Sequence, residues 1–174
     1  TSTDLEIIRK IKNALNSKHK IGVKLRSNPR WKIGYRLQIG SKDMVHDLMS
    51  FGLVQSKSLT MNFPKVPNKF MGHFVRGYFD GDGGVNLGRY WRKDRNNWKW
   101  QLTTQFTSGS KVFLVSLKQS LNNLTINGLI SKKHNQRGFD LIMSQYASLA
   151  LFKLMYDNAS TDMFLKRKYQ VFQK

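Results

Sequence analysis

The stretch Phe74-Val75-Arg76-Gly77-Tyr78-Phe79-Asp80-Gly81-Asp82-Gly83-Gly84 constrains this chain more than any other. Pro67, ahead of it, suits the first position of a helix, where no backbone donor is lost. From there Phe70, Met71, Phe74, Val75, Tyr78 and Phe79 recur at helical spacing and define an apolar face. Gly77 lies on or beside that face. A glycine inside a helix costs about 1 kcal/mol relative to alanine, and close approach of a second backbone is one reason to accept it. The glycines of Asp80-Gly81-Asp82-Gly83 predict the helix end, in the left-handed turn that glycine favours.

The two aspartates carry the chemistry. A helix C-terminus bears partial negative charge, so carboxylates there are disfavoured, and two of them one residue apart also repel each other. A divalent cation relieves both problems. A plain Asp-Gly turn into a hairpin is the other reading of the same letters. An EF-hand loop is excluded, because Gly84 and Trp91 stand at its fifth and twelfth positions, where oxygen ligands are needed.

The balance of charge narrows the class of partner. Thirty Lys and Arg stand against ten acids, a net charge of +20 on 174 residues. Such an excess points to a polyanion, with nucleic acid first. The basic residues are spread along the chain, and no apolar run approaches the ~20 residues of a spanning helix. There is no cysteine, which excludes disulfides and thiolate zinc sites. The start, Thr1-Ser2-Thr3-Asp4, has neither the basic nor the apolar region of a signal peptide. Hydrophobic residues make up 40%, enough for a packed core.

Taken in order, Thr3 or Asp4 caps a first helix whose apolar face is Leu5, Ile7, Ile8, Ile11 and Leu15. Alternation over Ile21 to Arg26 and Lys32 to Ile39 predicts a hairpin turning at Asn28-Pro29, with Val23, Leu25, Ile33, Tyr35, Leu37 and Ile39 facing the core. A helix over Ser41 to Phe51 follows, then an irregular segment carrying Lys57, then the motif helix. Val85 to Lys93 and Trp98 to Thr107 predict a long hairpin. Trp98, Trp100, Leu102, Thr104 and Phe106 form its buried face, and Lys99, Gln101, Thr103 and Gln105 its wet one. Helix, hairpin, helix and helix close the chain: Ser110 to Leu124, Leu129 to Met143 turning near Asn135, Gln145 to Tyr156, and a last one capped by Thr161 or Asp162.

Part of this order repeats. Ile11 and Leu15 answer to Leu117 and Leu121, Gly34-Tyr35-Arg36-Leu37 to Gly138-Phe139-Asp140-Leu141, and Lys57 to Lys168. The second copy is complete; the first enters late, without its own motif helix and first hairpin.

The string from Val75 to Gly83 resembles the signature of the LAGLIDADG homing endonucleases. Gly77, Asp80, Asp82 and Gly83 match its most characteristic letters, and Arg76 and Gly81 stand where the eponymous motif has alanines. The resemblance covers essentially the whole chain. It implies an α+β fold of αββαββα repeats, with antiparallel sheets forming a DNA-binding saddle. Residues 1–66 are then a partial first repeat and residues 67–174 a complete second one. It further implies a second motif helix, from an N-terminal segment or another copy of the chain, packed on the first.

For function, the resemblance implies a site-specific double-stranded DNA endonuclease that hydrolyses phosphodiester bonds with a divalent metal, Mg²⁺. Asp82 is the expected metal ligand, helped by the Gly81 carbonyl, with Asp80 more a support for the turn. Lys57 and Lys168 hold equivalent places in the two copies and are expected beside the active site, where a cation stabilises developing charge. Gln105 and Ser108 lie where the family places polar residues that organise water. Two-stranded ribbons can enter the major groove and read base edges. The expected DNA-binding residues are Lys24, Arg26, Arg30, Lys32, Arg36 and Gln38 in the first copy. In the second they are Asn86, Tyr90, Arg92, Lys99, Gln101, Thr103, Gln105, Ser131, Lys133 and Asp140. The alternative is a catalytically reduced DNA- or RNA-binding relative, such as an intron maturase or a transcription regulator.

Overall fold

The computed structural model describes residues 1–25, 28, 30–53, 59–134, 137–157, 159 and 163–174. Helix α1 (Leu5–Ala14) opens where an Asp4 carboxylate oxygen accepts from the N–H groups of Glu6 and Ile7, the side-chain cap its sequence calls for. Strands β1 (Ile21–Lys24) and β2 (Gly34–Leu37) pair antiparallel, Ile21 opposite Leu37. Helix α2 (Lys42–Ser50) is capped by the Ser41 hydroxyl. After Pro67 a single tight turn, Asn68–Phe70, leads into α3 (Met71–Asp82), the motif helix.

Directly from α3 the chain enters β3 (Gly83–Arg92), which pairs along its whole length with β4 (Asn97–Ser108). Then follow α4 (Lys111–Asn122), β5 (Leu129–Lys132), β6 (Phe139–Met143), α5 (Gln145–Tyr156) and α6 (Lys166–Phe172). The order α1-β1-β2-α2 thus recurs as α4-β5-β6-α5. Strands β3-β4-β6-β5 form one antiparallel sheet and β1-β2 a second.

The core lies between the four-stranded sheet and α3, α4 and α5. Val75 and Phe79 of α3 meet Phe106 of β4, Leu117 and Leu121 of α4, Leu141 of β6 and Leu151 of α5, all fully buried. The polar groups inside are paired, as burial demands: the Thr104 and Ser148 hydroxyls lie 2.9 Å apart, and Ser148 also donates to the Met143 carbonyl. The segment before α3 packs on the same core. Phe63 meets the rings of Phe74 and Phe113, and Ser110 donates to the Met61 carbonyl at 2.7 Å.

Three expectations are corrected. First, the motif helix does not end in a left-handed glycine turn: it runs through Asp82, and Gly83 is extended at φ −94°. Second, Val23, Leu25 and Ile33 are exposed rather than in the core. They stand at the outer end of the β1-β2 hairpin, whereas Ile21 and Leu37, at the other end, are half-buried. On α3, the glycine that meets a second backbone within this chain is Gly72: a Cβ there would fall 2.4 Å from the Leu154 carbonyl oxygen of α5, whereas one on Gly77 or Gly81 would meet nothing within 4 Å. Third, Trp98 and Trp100 share a face with the buried Leu102 and Phe106 yet are more than half exposed. The long hairpin reaches past the helices, and Arg89 stacks on both indoles there instead.

Candidate active site

Asp80, Asp82 and Lys168 come together at the foot of α3. Because Gly83 is extended, the chain passes from helix to strand without a loop, and Asp82 stands at the junction. Its side chain is exposed and has no hydrogen-bond or ion-pair partner among the described residues. Beside it opens a cavity of about 430 Å³ lined by Tyr78, Thr107, Ser108 and Phe113 among others. The Tyr78 hydroxyl donates to the Thr107 carbonyl at 2.8 Å. Burial pushes that phenol up to about 12, opposed by hydrogen bonding to Ser108 and reinforced by the Asp82 charge.

Asp80 has a different task. One carboxylate oxygen accepts the Leu165 N–H at 3.0 Å, and the other is buried without a partner. Burial raises its pKa, against the Leu165 N–H and the nearby charges of Lys168, Arg76 and Arg167. It ties the start of α6 to the motif helix.

Lys168 approaches the same foot from α6. It is only 6% exposed, and its ammonium donates to the carbonyls of Phe79, Asp80 and Gly83 at 2.6, 3.0 and 2.6 Å. Burial pulls its pKa down to about 8, with Asp80 and Asp82 opposing and Arg167 adding to the fall. Lys57, its counterpart by sequence, lies outside the described residues, as does Arg26.

A buried arginine escaped the sequence reading. Arg76 donates to the Met155 carbonyl at 2.6 Å, to the Met163 carbonyl at 3.4 Å and to Nδ1 of His73 at 2.8 Å. It fastens the end of α5 and the approach to α6 onto α3. The only signal in the sequence was its place in the motif, where a cation stands on a helix that must be buried on both sides.

The register of β3 against β4 puts Asn86, Tyr90 and Arg92 on one face with Lys99, Gln101, Thr103 and Gln105. Ser131 and Asp140, opposite one another on β5 and β6, join that face next to Thr107, and Lys133 follows Ser131 just past the strand. Asp140 accepts from the Thr107 hydroxyl, and Arg92 is paired with Asp94, so neither side chain is idle. In the first sheet Lys24 and Arg36 share a face, with Gln38 bonded to Arg36; Arg30 and Lys32 are exposed in the connection between the strands. Gln105 lies against Gly84, two residues from Asp82. The Ser108 hydroxyl accepts the Ser110 N–H, which shapes the β4-α4 turn.

Among the described residues no group of three or more His, Cys, Asp and Glu side chains could hold a metal ion. What the foot of α3 supplies is one open carboxylate and the Gly81 carbonyl, which is not among the three that Lys168 takes. Mg²⁺ binds through one or two carboxylates and keeps several waters, and one carboxylate with one carbonyl is a donor set that fits it.

Residues 69–157, just over half of the chain, match the family model described as a LAGLIDADG-like domain. The chain belongs to the LAGLIDADG family. No curated protein sequence matches it significantly. Among solved structures, this LAGLIDADG chain aligns over 99% of its length with 74% of I-LtrWI, a LAGLIDADG homing endonuclease bound to target DNA, at 11% identity and a TM-score of 0.62. The meganuclease I-SmaMI, bound to uncleavable DNA, aligns with 98% of this chain over 74% of its own, at 13% identity and a TM-score of 0.59. The archaeal intron-encoded homing endonuclease I-Vdi141I, complexed with DNA, covers 61% of this chain at 15% identity and a TM-score of 0.49. The chain spans 65%, 32% and 66% of the lengths of I-Vdi141I, I-GzeII and I-TnaI. The expected α+β architecture is therefore present, and its fold is that of the LAGLIDADG homing endonucleases. No helix among the described residues is long and apolar enough to cross a membrane.

Proposed function

We propose that this protein is a site-specific double-stranded DNA endonuclease of the homing type, dependent on Mg²⁺. The observation that carries the reading is the unpartnered Asp82 carboxylate at the foot of the family's defining helix, beside a sheet face of polar and basic side chains. On this reading residues 1–66 are a partial first repeat and 67–174 a complete second one. Asp82, with the Gly81 carbonyl, holds the metal, which when bound supplies a nucleophilic water and neutralises the phosphate. Asp80 and Arg76 fix the helix foot against α5 and α6. Ser108 lines the cavity beside Asp82 and Gln105 lies against Gly84, two residues on, where they can hold water. The two sheets take the duplex: Lys24, Arg26, Arg30, Lys32, Arg36 and Lys133 meet phosphates, while Gln38, Asn86, Tyr90, Lys99, Gln101, Thr103 and Gln105 reach base edges. Lys57 completes the equivalent site of the first repeat.

Two strands need two sets of reacting groups, and these residues hold one motif acid. The outer stripe of α3, Phe70, Gly77 and Gly81, is open to approach, and Phe70 is half exposed. A second motif helix packs there, from an N-terminal segment or another copy. The test is the composition of the species that cuts duplex DNA from the region flanking its gene. Double-strand cleavage should require Mg²⁺ and travel with an assembly containing two motif helices. A lone copy of these 174 residues that cuts both strands refutes the assembly, and tight binding without cutting in any assembly makes the protein a binding-only relative.

A further inference from the structure

The outer end of the β3-β4 ribbon stands by itself. Strand β6 pairs with β4 only from Thr104 to Ser108, and no other strand among the described residues pairs with the ribbon beyond that point. The face that the helices cover at Leu102 and Phe106 is open from Arg89 and Trp100 outward. A two-stranded hairpin alone in water is marginally stable. Yet this end carries Tyr90, Lys99 and Gln101, three of the side chains that reach base edges on the reading above. On its other face four side chains cover one another. Trp91 and Trp98 are cross-strand partners whose rings meet edge to face, with centroids 5.6 Å apart. Arg89, opposite Trp100 and diagonal to Trp98, holds its guanidinium 5.7 and 5.3 Å from the two ring centres. Cross-strand aromatic pairs stabilise an antiparallel ladder, and a guanidinium beside an indole is attracted by the ring's quadrupole. Both contacts join β3 to β4, and neither draws on the helices.

We propose that Arg89, Trp91, Trp98 and Trp100 are positioning residues. They brace the free end of the ribbon from the face turned away from the duplex, and so hold Tyr90, Lys99 and Gln101 in place on the other face before DNA arrives. This rests on the reading of that other face as DNA-binding, and adds to it a source of affinity that touches no DNA. A loose ribbon has to be ordered at the moment of binding, and the entropy of that ordering is subtracted from the affinity. A ribbon already braced loses little. Successive residues of a strand point to opposite faces, so Tyr90 lies between Arg89 and Trp91, and Lys99 between Trp98 and Trp100. The twist and register fixed by the brace therefore set the directions of the reading side chains. Asp82 stands at the other end of β3, so the brace acts on binding and not on the reacting groups.

The experiment compares two variants with the parent protein in its assembled form. One combines Trp98→Thr with Trp100→Thr, which keeps strand-favouring residues. The other is Arg89→Lys, which keeps the charge and gives up the flat guanidinium. Amide exchange over residues 88–101 is measured without DNA, duplex affinity at several salt concentrations, and the rate of cutting from the saturated complex. Both variants should exchange faster over 88–101 by about 3- to 30-fold, the effect of losing one or two such contacts. Exchange over 102–108 should stay as in the parent, and the duplex should bind more weakly by a similar factor. The salt dependence should run parallel to the parent's, since no phosphate contact is lost, and the saturated cutting rate should not change. Trp98→Phe, which keeps an aromatic partner for Trp91, should preserve most of the protection and the affinity. Weaker binding with unchanged exchange would overturn the proposal and make the indoles a contact surface. Faster exchange with unchanged affinity, or a slower saturated cutting rate, would overturn it as well. A parent protein that binds no duplex contradicts the DNA-binding reading, while the exchange comparison still decides whether the ribbon is braced.

Discussion

Two glycines five residues apart on α3 should respond to alanine in opposite directions. At Gly72 the new Cβ would lie 2.4 Å from the Leu154 carbonyl oxygen, roughly 1 Å inside ordinary contact. The obstacle is backbone, so α3 and α5 must part. Overpacking of this kind costs about 1–3 kcal/mol, against a helix-propensity gain of at most about 1 kcal/mol. Gly72→Ala is therefore expected to destabilise the chain by about 1–2 kcal/mol, roughly 2–8 °C in Tm for a chain of this length. At Gly77 the new Cβ meets nothing, and the propensity gain of about 1 kcal/mol stands alone. Gly77→Ala should raise the Tm of the isolated chain and weaken its assembly with a second motif helix. Thermal unfolding and sedimentation of both variants make the comparison. Shifts of the same sign, or a Gly77→Ala protein that assembles normally, would refute the reasoning.

Three further outcomes follow from the site and its surroundings. Asp80 has its pKa raised by burial, so its contribution to stability is full below the ordinary carboxylate range and is lost as pH rises through the folded value. Asp80→Asn should flatten that part of the stability–pH curve, read by denaturant unfolding across the acid range, and a curve unchanged from the parent would contradict the assignment. Duplex affinity should fall steeply with salt, because neutralised phosphates release counterions; an affinity flat between low and moderate salt would contradict the reading of the +20 charge. Alanine at Gln101 or Gln105 should relax preference at one or two base pairs, by about 1–3 kcal/mol for a bidentate contact, in a binding screen of single-base variants. A uniform loss over all sequences would mean that these side chains touch only the backbone.

How far the sequence could be read depended on the range of each interaction. Local chemistry was legible: the Asp4 cap, the helices that open at Ser41 and Ser110, the two alternating faces of β3 and β4, and the Asp82 position all follow from spacings of two to four residues. Contacts made across the fold were not. Lys168 meets Phe79 from 89 residues away, and Arg76 meets Met155 from 79; neither bond leaves a mark on its neighbours in sequence. The distinction between Gly72 and Gly77 depends on where α5 crosses α3, which no periodicity encodes. Trp98 and Trp100 follow the same alternation as Leu102 and Phe106, and only the reach of the helices decides that they stay exposed.

Asp82→Asn in the assembled protein, with duplex binding and strand cleavage followed on the same DNA with and without Mg²⁺, tests the proposal that this chain cuts DNA through Asp82. The variant is expected to keep its affinity and specificity for the duplex measured without metal, and to leave intact the strand its site would cut. Undiminished cutting of both strands by Asp82→Asn in Mg²⁺ would contradict it.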